Sequence, residues 1–375
     1  VRVLWVTNDL EPRTGGIQQF VGNLLRRVHP ETTVVVGPAG GPEATLADAA
    51  GSHRTVRAPG AVLPTPAIRR LVVDVARGHR PDVIVLGAAW PLGELAGPLR
   101  AALDVPVVAL THGLEAGMAG AGLGHLIHRA TRDLAAVTTI SRFTSERLQP
   151  HLGTARVRTL PPGVDIDLFH PGVDGRVLRQ RLGIPEDAVV AGCVSRLVPR
   201  KGQDRLVHVW PAVRERHPDA WLLLVGEGPL EPRLRRRVRD LGADGQVVLG
   251  GRVAWEELPA AHAALDVFAM PCRTRWGGLD VEGLGIVYLE AQSSGVPVIA
   301  GRSGGAPEAV AGPETGTVVD GRDDLALVAA LDGWLSDQDR RRAAVAPARE
   351  FAVTRYGWDA IASDLRDLLD EVVAG

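Results

Sequence analysis

Lysine is almost missing from this chain. Of its 42 basic residues, 41 are arginine and one is lysine, Lys201. Cysteine is nearly as scarce, with only Cys193 and Cys272. Two thiols cannot build a disulfide framework, and neither has metal-ligand company at a standard spacing. Each sits in an apolar, strand-like run, which predicts a buried, inert thiol. No apolar run approaches the ~18 residues needed to span a bilayer. The opening VRVLWV reads as a strand, without a charged-then-apolar leader. The expectation is a chain that is cytoplasmic, or that touches a membrane only from its surface. A net charge of −2, with acids and arginines interspersed, gives no case for bulk nucleic-acid binding.

What is present is the composition of a soluble globular protein: 45% hydrophobic and 23% charged residues in a chain of 375. That length suits about two or three domains. Strand and helix patterns alternate. VRVLWVT is a buried run, EPRTGG is turn material, and Ile17, Phe20, Val21, Leu24, Leu25 and Val28 fall at helical spacing. TTVVVGP, PDVIVLG and VPVVALT follow as further strands. The second half repeats the scheme with AVVAGCVS, AWLLLVGEG, QVVLGG, DVFAMP and VPVIAG. The fold class is therefore α/β, with parallel sheets. The Pro- and Gly-rich stretch PPGVDIDLFHPG, residues 161–172, marks the junction. Two doubly wound domains facing each other would form a cleft at the carboxyl ends of both sheets.

Five loops at strand ends draw attention. RTGG places Gly15 and Gly16 before a helix, where amides can meet an anion; an ordinary tight turn is the structural alternative, since no full dinucleotide fingerprint follows the first strand. LTHGLE places His112 at a strand's carboxyl end, as a site residue or as a histidine satisfied by backbone. SRLVPRKGQD carries Arg196 and Lys201. Arginine offers phosphate a bidentate fork and lysine a compact point charge. The alternative is a solvated run, with Arg200 and Arg205 expected to face solvent. GEGPLEPRL is a weak loop signal. The fifth stretch, from Pro271 to Glu308, holds Glu282 and Glu290. If the residues between them are helical, eight steps of ~1.5 Å separate the acids by about 12 Å. That exceeds the roughly 5–9.5 Å of a hydrolase carboxylate pair and favours two contacts to one extended ligand. A helix opening beneath Gly283 and Gly285 would offer free amides to a diphosphate. Glu290, inside the apolar IVYLEAQ, needs a reason to be acidic.

The pair Glu282 and Glu290, Arg196 with Lys201, the GGAPE stretch, the GVDIDLFHP linker and the Gly-rich first loop together resemble family 4 retaining glycosyltransferases of the GT-B fold, over almost the whole chain. SRLVPRKGQD and CRTRWGGLDVEGLGIVYLEAQ resemble more closely the branch that takes GDP-mannose and adds a second mannose to phosphatidylinositol monomannoside. Trp276 departs from that branch, where a small residue is expected.

The resemblance implies an acceptor domain over 1–165 and a nucleotide-sugar domain over 172–350. It also implies a C-terminal helix over 351–375 crossing back to the first. Arg196 and Lys201 would bind the donor diphosphate, and Glu290 the ribose. Glu282 would hold the mannose hydroxyls with the backbone of Gly283, Leu284 and Gly285, and Ile286 would join the donor site. Gly16 would pack by the diphosphate, His112 by the anomeric carbon and Val253 by the base. No metal or other cofactor is strictly required, though Mg2+ is compatible, and front-face displacement is implied. The acceptor being a lipid, the enzyme is expected at the inner face of the plasma membrane. The helical stretch 67–80, with Arg69, Arg70, Arg77 and Arg80, is a candidate contact or else an ordinary core-facing helix. A different family 4 donor or acceptor, an epimerase or phosphorylase of similar architecture, and a non-catalytic sugar-nucleotide binder are the alternatives.

Overall fold

The computed structural model describes residues 1–375 except Thr14 and Asp244. The chain divides into two compact units: Val1–Gly163 together with Trp358–Gly375, and Val164–Gly357.

The first unit holds seven strands: β1 (Val3–Val6), β2 (Thr33–Gly37), β3 (Arg54–Arg57), β4 (Val83–Leu86), β5 (Val107–Ala109), β6 (Ala136–Thr139) and β7 (Arg156–Thr159). They form one parallel sheet in the order β3-β2-β1-β4-β5-β6-β7. The central strands VLWV and VIVL are buried at every position, because helices cover both faces. On one face Leu4, Val6 and Ile84 pack with the helix Pro66–His79 through Ile68, Val72, Val73 and Ala76. On the other, Val3, Trp5, Phe20 and Leu24 pack with Trp358, Ile361, Leu365 and Leu369 of the last helix, Trp358–Ala374. Residues 351–356 instead complete the helix Gln338–Tyr356 of the second unit.

The second unit holds six strands: β8 (Val190–Val194), β9 (Trp221–Val225), β10 (Val247–Gly251), β11 (Val267–Met270), β12 (Val298–Gly301) and β13 (Gly316–Val319). Their order is β10-β9-β8-β11-β12-β13, again parallel. Four strands escaped the sequence reading. Three are sheet edges, β3, β7 and β13, and two of these, RTVR and RVRT, carry two arginines in four residues. Such an edge does not make a continuous apolar run. The fourth, β6, is the buried but threonine-rich AVTT.

In each sheet the winding reverses once, between β1 and β4 and between β8 and β11. Ligands of open α/β sheets lie outside the carboxyl ends of the strands at such points. In the second unit this singles out the loops 195–202 and 271–285. Among the described residues no helix is long and apolar enough to cross a membrane. The apolar face of Pro66–His79 is used on its own sheet, and its open face is charged: Arg69, Arg70, Arg77 and the adjoining Arg80 are exposed, with Asp74 beside Arg77. An amphipathic helix inserting its apolar face into lipid is thereby ruled out for 67–80.

Candidate active site

Beyond β8, the chain makes a short 3-10 turn, Pro199–Lys201, that aims Lys201 inward. The residue is 8% exposed. Its Nζ lies 3.0 Å from both carboxylate oxygens of Glu282, on the loop after β11. Arg200, expected to face solvent, is a correction. Its Nε is 3.3 Å from Glu282 Oε2, and its guanidinium reaches Asp280 at 3.6 Å. Asp280 also pairs with Arg275 at 3.2 Å. The β11 loop thus carries two largely buried carboxylates, and Arg200 turns down beside Lys201 to balance them. Burial alone would push the Glu282 carboxyl up, but the Lys201 ammonium and Arg200 guanidinium outweigh it and hold it below the usual carboxylate range.

Arg196 and Lys201, paired in the sequence reading, occupy opposite environments. Arg196 is exposed, and among the described residues its guanidinium has no hydrogen bond or ion pair; only its carbonyl is engaged, accepting from Gln203 Nε2 at 3.1 Å. The weak GEGP signal supports this loop. Leu197 N donates to the Glu227 carbonyl at 2.9 Å, and Leu230 N donates to that of Leu197 at 3.1 Å. Gly228, at φ 157°, has no room for a side chain, because a Cβ would press into the Leu197 carbonyl.

Glu282 is held from behind by the SGG segment after β12. Its carbonyl accepts from Gly305 N at 3.0 Å, and its own N–H donates to Ser303 Oγ at 3.5 Å. Gly304, at φ 57°, lies against the same carbonyl, where a Cβ would overlap. The stretch between the two glutamates is not a continuous helix. The helix Ile286–Ser293 begins only after Gly285, which sits at φ 90°, ψ 75°. The 12 Å axial spacing therefore does not describe the pair: the glycines at 283 and 285 keep the first half as a loop. The amides of Leu284, Gly285 and Ile286 donate to no acceptor among the described residues, as expected at a helix start.

Glu290, one turn into that helix, is 6% exposed. Its nearest polar partner is His262 Nε2, 3.3 Å from Oε2. Val253, just after β10, is half-buried against the second unit's core. Cys193 and Cys272 are buried as expected, and burial pushes their thiols up to about 11 and about 12.

In the first unit, Gly16 opens the helix Gly16–Arg27, and a Cβ there would meet nothing within 4 Å. No contact of the fold demands glycine at 16. His112 follows β5. Its Nε2–H donates to the Gly87 carbonyl at 2.6 Å, and its ring meets Phe20 edge-on at 5.6 Å. The backbone-satisfied histidine is thus what the structure displays, at a strand's carboxyl end. Burial raises the carboxyl of Asp9, against the opposing charges of His112 and Arg13.

Family comparison decides what this architecture is. The model described as "Glycosyltransferase Family 4" matches residues 14–168, and that described as "Glycosyl transferases group 1" matches 174–351. A GDP-mannose-dependent alpha-(1-6)-phosphatidylinositol monomannoside mannosyltransferase of Mycolicibacterium smegmatis is 44% identical over 98% of both chains. A GDP-mannose-dependent monoacylated alpha-(1-6)-phosphatidylinositol monomannoside mannosyltransferase of Corynebacterium glutamicum is 40% identical over 98% of this chain and 97% of its own. The chain belongs to glycosyltransferase family 4. Its two parallel sheets are those of the GT-B fold. HepE of Anabaena, in complex with UDP, matches with a TM-score of 0.81 at 20% identity, covering 99% of this chain and all of that one. Sucrose-phosphate synthase of Thermosynechococcus elongatus matches with a TM-score of 0.78 at 22% identity, over 99% of both. These distant likenesses speak to fold alone.

Two polar residues of this family 4 chain, Asp280 and His262, went unsingled in the sequence, and Arg200 was assigned to solvent. Arg200 and Asp280 were hidden among many arginines and acids, and only their pairing in the fold distinguishes them. His262, in LPAAHAAL, had no neighbour in sequence to signal it; its partner Glu290 is 28 residues away.

Proposed function

We propose that the chain transfers mannose from GDP-mannose to phosphatidylinositol monomannoside, with retention at the anomeric carbon. Full-length identity of 40–44% to relatives bearing that activity in their names supports the donor and acceptor. The observation that carries the reading is the constellation at the β8–β11 switch point. There a buried ammonium, the Arg200 guanidinium beside it, the exposed guanidinium of Arg196 and a helix start with free amides are carried by the segments that follow β8 and β11.

In this reading Arg196 and Lys201 bind the donor diphosphate, Glu290 the ribose, and Val253 lies by the base. Glu282 and the backbone of Gly283, Leu284, Gly285 and Ile286 hold the mannose. Gly16 and His112 of the first unit serve the diphosphate and the reacting carbon. The acceptor oxygen bonds to the anomeric carbon as the carbon–oxygen bond to the diphosphate breaks. The bonding electrons leave with GDP, and the acceptor proton passes to a diphosphate oxygen. Lys201, Arg196 and the helix start stabilise the charge that develops there, each such donor being worth roughly a hundred- to a thousandfold in rate. No added metal is needed for that stabilisation.

A lipid acceptor brings the protein to the inner membrane surface. The exposed Arg69, Arg70, Arg77 and Arg80 support contact through charge alone, at about 1 kcal/mol per residue near anionic lipid. Calorimetry with GDP-mannose, UDP-glucose and UDP-N-acetylglucosamine tests the donor. GDP-mannose is expected to bind tightest, and preference for a uridine donor contradicts the assignment.

A further inference from the structure

His262 is completely buried, yet neither ring nitrogen has a hydrogen-bond partner. An unsatisfied buried polar group is costly, and an apolar side chain of similar size would avoid the cost. The ring is held by aromatic neighbours on two sides. It stacks on Phe268 of β11 at 5.6 Å and 27°, and meets Phe169 edge-on at 5.6 Å. Phe169 is itself pinned, its carbonyl accepting from Ser293 Oγ and from Arg349, both at 2.6 Å. Held in this way, Nε2 lies 3.3 Å from Glu290 Oε2, without the alignment of a full hydrogen bond. Glu290, for its part, has no hydrogen bond to any other described side chain. Phe169 also touches Trp255 at 6.2 Å, which links this cluster to the loop carrying Val253.

We propose that His262 is a positioning residue for Glu290. Its Nε2–H fixes one carboxylate oxygen from behind, so that the other is presented in a single orientation to a ligand diol. Without it, a carboxylate in this pocket has no internal partner and several rotamers. The inference rests on the reading of Glu290 as the group that binds the nucleotide ribose.

The test uses His262→Phe, which keeps a ring between Phe169 and Phe268 but removes the donor, and His262→Gln, which restores an N–H on a different scaffold. Both are checked for a native melting transition and then titrated with GDP and 2′,3′-dideoxy-GDP. Wild type is expected to prefer GDP at least tenfold. His262→Phe is expected to lose most of that preference, with a raised KM for GDP-mannose and kcat within about threefold of wild type, while His262→Gln recovers part of it. If wild type discriminates but His262→Phe discriminates equally well, the positioning role is wrong and the ribose reading stands. If wild type itself does not discriminate, the ribose reading of Glu290 fails and takes the proposal with it. If only melting temperature changes, His262 is a core residue and the proposal is overturned.

Discussion

The ammonium of Lys201 sits 3.0 Å from both oxygens of Glu282, with both side chains almost fully buried. The chain's one lysine is therefore a compact charge shared between two carboxylate oxygens in a closed slot, with Arg200 already filling the adjacent space. A planar fork at 201 would compete with Arg200 for the same carboxylate.

Lys201→Arg should keep much of the GDP affinity, since charge is retained, and still lose turnover by tenfold or more. Lys201→Ala should lose both. Steady-state kinetics at saturating GDP-mannose, with GDP titrations alongside, separate the two. A Lys201→Arg enzyme with wild-type turnover removes any meaning from the lysine's rarity.

Glu282→Gln leaves Lys201 without its buried counter-charge and Arg200 with Asp280 alone, and should destabilise the protein by about 3–5 kcal/mol. Transfer should fall while GDP affinity holds, as the proposed assignment of Glu282 to the sugar requires. Glu290→Gln should instead weaken GDP itself. Equal loss of GDP affinity in both variants contradicts the assignment of one acid to sugar and the other to nucleotide.

The same ion pair has a pH signature. The folded carboxyl of Glu282 is held below its ordinary value, so it contributes stability above the unfolded pKa of about 4.3 and loses it as pH falls through the folded value. The stability gap between wild type and Glu282→Gln should be widest near neutrality and shrink below about pH 4. Denaturant melts across that range measure it, and a gap independent of pH contradicts the sign.

How much of this was legible beforehand follows from where each signal lay. Buried central strands such as VIVL are continuous apolar runs, and their parallel arrangement could be read directly. Edge strands such as RTVR hide because arginines interrupt the apolar run. The switch-point loops were visible through Arg196, Lys201, Glu282 and Glu290. Periodicity could not reveal that Gly283 and Gly285 interrupt the helix between the acids. Nor could it show that Arg200 is engaged while Arg196 is open, since the two differ only in burial. His262 was invisible because its partner comes from a distant helix.

Gly304→Ala should displace the backbone of Glu282, since a Cβ there overlaps its carbonyl and the residue sits at φ 57°. Turnover should drop at least tenfold with little change in the melting of the first unit. Unchanged kinetics would show that the SGG segment does not position Glu282.

Trp358→Ala removes a ring that is 6% exposed and lies 5.9 Å from Phe20 in the first unit's core. A loss of about 3–5 kcal/mol is expected. Urea melts followed by tryptophan-independent circular dichroism would register it, and a neutral effect contradicts the packing of the last helix described here.

The most direct test of the central claim is transfer itself. Purified protein is incubated with labelled GDP-mannose, with and without chelator, and with phosphatidylinositol or its monomannoside in vesicles. The account predicts a labelled dimannosylated lipid from the monomannoside only, formed equally well in chelator, and reduced a hundredfold or more by Lys201→Ala. Labelled product from a uridine donor in place of GDP-mannose, or undiminished product from Lys201→Ala, would contradict it.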